Sequence, residues 1–216
     1  MNKIKTSSIL AAALASAAFS GSALPAAAEP VEIVALGDSL SAGYGLAPGE
    51  AFPEQLQAAL RERGHQVNVA NAGVSGDTAS DGLARLEWSV PADADIVIVE
   101  LGANDALRGI DPVVTRQALS EIVTKLKGRG QAVLLAGMLA PRNLGHAYGE
   151  QFDTIYADIA AEQDVALYPF FLEGVATVAG LNQADGAHPT AEGIAIIVES
   201  ILPDVEALIA GIVAAD

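Results

Sequence analysis

Cysteine is absent from the 216 residues, which excludes disulfides, thiolate metal sites, a cysteine nucleophile and lipid attachment through an N-terminal cysteine. Cations are scarce: 11 Lys and Arg face 27 Asp and Glu, and the formal charge of −16 disfavours nucleic acid and anionic membrane surfaces as partners. Histidine occurs only as His65, His146 and His188, so a reaction that needs an imidazole base has three places to find it. The sequence also has no H-E-x-x-H, no Walker loop, no G-x-G-x-x-G and no G-x-S-x-G elbow. No metal and no organic cofactor is expected.

What is present is apolar. Hydrophobic residues make up 51% of the chain, ample for the core of one domain of this length. The first 28 residues read as a cleaved secretory signal. Lys3 and Lys5 precede an apolar stretch over 9–19, too short to span a bilayer with ease, and Pro25-Ala26-Ala27-Ala28 offers a small-residue cleavage site. The remaining domain, residues 29–216, loses both lysines and carries a net charge of −18. A periplasmic or secreted monomer without a stable membrane anchor is expected.

Apolar runs over 31–36, 67–70, 96–99, 132–138 and 165–167 predict five short strands. Helical spacing predicts helices over 52–60, from an N-cap at Asp77 or Thr78 to Trp88, over 112–127, around 152–161, and from Thr190 onward with Pro203 splitting the later turns. The apolar stretch over 194–213 carries Glu199, Asp204 and Glu206 and reads as packed, not membrane-spanning. Buried strands alternating with helices predict one three-layer α/β/α domain around a five-stranded parallel sheet, with strand order open.

In open α/β sheets reactive groups gather beyond the carboxyl ends of the strands. Ser39 stands there after the first strand, in Gly37-Asp38-Ser39-Leu40, and reads as a nucleophile in need of a base. His65 sits at a helix end on the opposite edge and reads as a surface residue. His146 follows the fourth strand on the correct edge, without an acid close upstream. His188 has Asp185 three residues before it and Pro189 after it, a turn in which the carboxylate can fix the ring tautomer. Gly73 and Asn104 follow the second and third strands; a backbone N–H and a side-chain amide there can meet an oxyanion, while either alone is an ordinary turn residue.

Gly37-Asp38-Ser39-Leu40, Gly73 in Asn71-Ala72-Gly73, Gly102-Ala103-Asn104-Asp105 and Asp185-Gly186-Ala187-His188-Pro189 resemble, in order, the blocks of the SGNH (GDSL) hydrolases. The strings over 37–44, Ser75-Gly76-Asp77-Thr78 with Gly82-Leu83-Ala84-Arg85-Leu86, and Leu107-Arg108-Gly109 are similar to the bacterial arylesterase, thioesterase I and lysophospholipase L1 branch. The resemblance implies a flavodoxin-like sheet. It implies Ser39 as nucleophile, His188 as base and then acid, and Asp185 as the residue orienting His188. It also implies an oxyanion hole of the Ser39 and Gly73 N–H groups and the Asn104 side chain, and acyl-chain walls from the loop holding Ala106, Leu107 and Arg108 and the loop holding Pro141 and Leu144. Ala103 and Gly45 depart from the branch, which usually has glycine and a larger residue there. The implied reaction is hydrolysis of small-molecule acyl esters, aryl esters and lysophospholipids among them, and of acyl thioesters. A carbohydrate-ester deacetylase and a non-catalytic exported binding domain are the alternatives.

Overall fold

A computed structural model of the chain describes Met1 and residues 29–214. Apart from Met1, the expected signal lies outside the described residues. Five strands form one sheet: β1 (Val31–Gly37), β2 (Val67–Gly73), β3 (Ile96–Glu100), β4 (Ala132–Ala136) and β5 (Ala166–Tyr168). All neighbours are parallel, in the order β2-β1-β3-β4-β5. β1 and β3 are the central strands and almost every residue in them is buried, which is why they read as continuous apolar runs rather than alternating ones.

The helices are α1 (Ser39–Ala42), α2 (Phe52–Glu62), α3 (Ala79–Ser89), α4 (Ala103–Leu107), α5 (Pro112–Gly128), α6 (His146–Phe152), α7 (Ile155–Gln163) and α8 (Ala191–Val213). α2 packs on α8 over one face of the sheet, and α5 packs between α3 and α7 over the other. This is the predicted three-layer α/β/α sandwich. Among the described residues, no helix is long and apolar enough to cross a membrane.

Two features of the sheet place the site. The last residues of all five strands share one row of the ladder, Gly73, Gly37, Glu100, Ala136 and Tyr168 in sheet order, so the carboxyl edge ends level. From β1 the chain moves to one side for β2, then returns past β1 to lay down β3. The crevice at such a reversal of strand order is where open α/β folds bind ligand. Here it lies between the ends of β1 and β3.

The elements depart from the sequence expectation in particular places. β2 runs on to Gly73, and β4 stops at Ala136, two residues short of Met138. The helix expected around 152–161 is α7, and the segment before it, read as loop, holds the further short helix α6; the two part at Asp153 and Thr154, where the Asp153 carboxylate accepts the Ala140 N–H at 2.8 Å. Pro203 does not split α8. It lies on the exposed side, so the Glu199 carbonyl it leaves without an intrahelical donor faces water.

Candidate active site

β1 ends at Gly37 and the chain turns at once into α1. Asp38 is its N-cap, with Oδ1 accepting the Leu40 N–H at 3.0 Å, and Gly43 ends it in the left-handed conformation at φ 80°. Ser39 is therefore the first residue of a one-turn helix, where N–H groups have no intrahelical acceptor. Beneath this turn Glu100 is fully buried. Its Oε2 accepts from Ser41 Oγ at 2.8 Å and from the Asp38 N–H at 3.3 Å. A Cβ on Gly37 would collide with both Ser41 Oγ and Glu100 Oε2, so the approach of β3 to the Ser39 turn requires glycine there. Burial raises the Asp38 carboxyl to about 6, against the pull of the Leu40 and Asn104 hydrogen bonds. Burial, then the neighbouring Asp38 charge, raises Glu100 well above the ordinary range.

His188 reaches Ser39 from 149 residues away, with Nε2 2.9 Å from Ser39 Oγ. Nδ1 lies 2.7 Å from Asp185 Oδ2. An ionised carboxylate only accepts, so Nδ1 carries the proton and donates to Asp185, and Nε2 is left to accept from the serine hydroxyl. The turn is shaped by Asp185 Oδ1, which accepts the N–H groups of Ala187 at 2.9 Å and His188 at 3.1 Å. Those two bonds, then the His188 ring, hold the Asp185 carboxyl down to about 2. The Tyr44 ring leans on the imidazole at a centroid separation of 4.6 Å.

The expected oxyanion donors divide. Asn104 sits in α4, with Nδ2 donating to Asp38 Oδ2 and to the Asp77 carbonyl, each at 3.0 Å, which aims the amide at the crevice between β1 and β3. The Ser39 N–H has no acceptor among the described residues. Gly73 differs from the expectation: its N–H is bound by Asn71 Oδ1 at 3.0 Å in a local turn. A Cβ at Gly73 would strike the backbone of Ala42, so this glycine is needed for the packing of α1 against β2. Three residues on, Gly76 has φ 91° and an N–H without an acceptor among the described residues, beside the Asp77 carbonyl that holds Asn104. The Ser75-Gly76-Asp77-Thr78 string leading into the α3 N-cap was the signal for it.

Arg85 is the other residue sequence reasoning passed over. Its side chain is 7% exposed, and it ties three strand ends and loops together. Nε pairs with Asp77 Oδ2 at 2.6 Å, Nη1 donates to the Ala72 carbonyl at 2.7 Å, and Nη2 donates to the Gly37 carbonyl at 2.8 Å.

The remaining candidates stand outside the Ser39–His188–Asp185 hydrogen-bond chain. His65 pairs with Glu206 at 3.1 Å, and His146 opens α6, exposed, with Glu150 3.2 Å away. Ala106 is 1% exposed and belongs to the core; the segment expected as a loop is the short helix α4, which turns Ala106 inward and Leu107 outward. Arg108 caps α4 and donates to the Gly76 carbonyl at 2.7 Å. Leu144 ends a 3-10 turn after Pro141, and Pro141 borders a cavity of about 320 Å³ whose lining includes no residue of the Ser39–His188–Asp185 set. Among the described residues, no cluster of His, Asp and Glu could hold a metal ion.

The model of the GDSL-like lipase/acylhydrolase family matches residues 35–196. Esterase TesA of Pseudomonas aeruginosa is 39% identical over 178 residues, 82% of this chain and 89% of that protein. The arylesterase of Vibrio mimicus is 41% identical over 180 residues, 82% of this chain and 90% of its own length. The crystal structure of AlinE4, an SGNH-hydrolase family esterase, superposes with a TM-score of 0.71 at 46% identity, covering 84% of this chain and 97% of that one. With its blocks in order along one parallel sheet and relatives matched over most of their length, this chain belongs to the GDSL (SGNH) lipase/acylhydrolase family.

Proposed function

We propose that this chain is a serine esterase in which Ser39, His188 and Asp185 act as a triad on acyl esters. The observation that carries the reading is the unbroken hydrogen-bond chain from Ser39 Oγ through the imidazole to Asp185, at 2.9 and 2.7 Å. Ser39 Oγ attacks the ester carbonyl as His188 Nε2 takes its proton, and Asp185 stabilises the imidazolium that forms. The negative charge on the former carbonyl oxygen is met by the Ser39 and Gly76 N–H groups and by Asn104 Nδ2. Gly76 replaces Gly73 in this reading because the Gly73 N–H is turned into its own local turn on Asn71, while the Asn104 amide, bound to Asp38 and Asp77 in the resting site, exchanges one of those two bonds for the oxyanion. The imidazolium then protonates the departing alkoxide, or thiolate where the substrate is a thioester, and leaves an acyl group on Ser39. Water, deprotonated by the same imidazole, completes the turnover.

The substrate side is apolar. Each of the five segments that follow a strand has one exposed large hydrophobic side chain: Tyr44, Val74, Leu107 of α4, Leu139 and Val178. These groups favour an acyl chain of several carbons, as in aryl esters of medium-chain acids, lysophospholipids and acyl thioesters, over an acetylated sugar. Leu107 and Arg108 border the approach from α4, with Pro141 and Leu144 further along the rim. The enzyme acts as a monomer in the periplasm or outside the cell after removal of residues 1–28.

Ser39→Ala in a p-nitrophenyl ester assay tests the assignment. Activity falls by several orders of magnitude in a folded variant, His188→Ala falls about as far, and the double variant is scarcely worse, because the residues act as a unit. Retention of most activity in folded Ser39→Ala removes the serine from the mechanism.

A further inference from the structure

On the reading that Ser39 and His188 act together, we infer that Gln183 is a positioning residue that clasps the turn carrying the catalytic imidazole onto the loop that follows the nucleophile. That turn has little burial to hold it. Residues 184–187 are all exposed, and the Asp185 side chain is 42% exposed. The bonds Asp185 makes to Ala187 and His188 shape the turn from within and do nothing to place it against Ser39.

Gln183 supplies that placement. Its backbone N–H donates to the His188 carbonyl at 2.7 Å, and its own carbonyl accepts the Gly186 N–H at 2.9 Å, so its main chain closes the turn. Its side chain reaches in two directions. Nε2 donates to the Pro189 carbonyl at 2.9 Å and to the Tyr44 carbonyl at 2.7 Å. One hydrogen of the amide is thus spent on the segment of the base and the other on the segment five residues after Ser39, and the Tyr44 ring lies against the His188 ring across the same junction. The partially buried amide hydrogen-bonds both loops at once and so holds them in one frame.

The loop after α1 is fitted to this side chain. Gly45 has φ 75°, and a Cβ there would collide with Gln183 Oε1. Positions 45 and 183 therefore share one volume, and a change at one is felt at the other. The clasp acts through His188 and touches no reacting atom. Loss of the bridge leaves Ser39, Asp185 and the oxyanion donors in place and loosens the Nε2-to-Oγ contact.

Gln183→Met keeps length and volume and removes both donors; Gln183→Glu sets a carboxylate against two carbonyl oxygens. The mature chain of each variant is compared with wild type by steady-state hydrolysis of a p-nitrophenyl ester, by thermal melting, and by the low-field proton resonance of the His188 Nδ1–H. In Gln183→Met kcat falls on the order of tenfold with KM changed by less than about twofold, since a misplacement of about 1 Å costs up to a hundredfold. Gln183→Glu is slower still, and the low-field resonance broadens in both, at temperatures well below their melting points. A role confined to stability lowers the melting point and leaves kcat and the resonance as in wild type; that result overturns the clasp. Gly45→Ala supplies a second arm. Its penalty on kcat in the wild type shrinks in the Gln183→Ala background, whereas additive effects contradict a shared volume. Ser39→Ala, run alongside, separates the two failures. Activity surviving in Ser39→Ala sinks the triad and the clasp with it, while a dead Ser39→Ala beside a Gln183→Met of wild-type kcat sinks the clasp alone.

Discussion

Three carboxyl groups stand within two bonds of the nucleophile turn or its base, and their surroundings push them in opposite directions. Asp185, exposed but bound by two N–H groups and a ring, is held down to about 2. Its contribution to folding is complete above the ordinary carboxyl value and is lost only as pH falls through about 2. Its charge is therefore in place at neutral pH, where the imidazole needs it. Asp185→Asn removes the acceptor that fixes the tautomer and lowers kcat on the order of 10³-fold at neutral pH, read by steady-state hydrolysis of a p-nitrophenyl ester; a folded variant with near wild-type kcat would contradict the role. Asp38 is the reverse case. Burial raises it to about 6, so the folded state holds a proton that the unfolded chain releases near 3.8, and stability drains away as pH rises through that window. Urea melts at pH 5 and pH 8 should show wild type losing about 1 kcal/mol relative to Asp38→Asn over that interval, a single pKa unit being worth about 1.4 kcal/mol. A pH-independent difference would show that Asp38 is not the titrating group. Gly73 and Gly76 make the same point for backbone groups: two glycines three residues apart serve different ends, one allowing α1 to sit on β2 and the other presenting an N–H without an acceptor among the described residues.

Among the elements, the loop into α3 is tied to the ends of β1 and β2 by Arg85. Its guanidinium binds the carbonyls closing β1 and β2 and the Asp77 carboxylate beside the Asn104 anchor. Arg85→Met leaves those acceptors and a nearly buried Asp77 without donors and should lower stability by about 3–5 kcal/mol, read by denaturant melts. Arg85→Lys should recover only part of it, because an ammonium cannot reproduce the planar fork. Elements of this kind mark the boundary of what the sequence reveals. Strands β1, β3 and β4 were legible as apolar runs, and α2, α3 and α5 as periodic segments, with an N-cap at Thr78 and a proline at the first position of α5, because burial and helix-end chemistry leave local signatures. α4 and α6 were not, since helices of five and seven residues have little propensity to show and exist through tertiary contacts such as Tyr148 Oη on the Ile110 carbonyl at 2.8 Å. Strand order was illegible too: a parallel strand buried on both faces has the same pattern wherever it stands. The convergence of Ser39, Asp185 and His188 could be anticipated because each follows a strand in a spaced block. Glu100 and Arg85 could not, as a charged residue at a strand end or on a helix looks solvated until its partners are known.

At the scale of the whole molecule, five strands ending on one level row let loops from distant parts of the chain meet at the crevice between β1 and β3. The same edge carries the apolar side chains that would receive an acyl group. Transfer of each methylene from water is worth about 0.8 kcal/mol, roughly fourfold. An octanoyl ester should therefore exceed the acetyl ester in kcat/KM by at least about tenfold, even with most of the chain only partly covered; a preference for acetylated sugars would transfer the chain to the deacetylase reading. Export predicts that mass spectrometry of the protein recovered from its native host finds Glu29 at the N-terminus; a mature chain retaining residues 1–28 would contradict it. The most direct test of the central claim is covalent labelling with a fluorophosphonate probe, read by intact mass and peptide mapping. One adduct per chain, located on Ser39 and formed in step with loss of ester hydrolysis, is the predicted result. Full inactivation with the adduct on another residue, or undiminished turnover by a chain fully labelled at Ser39, would contradict it.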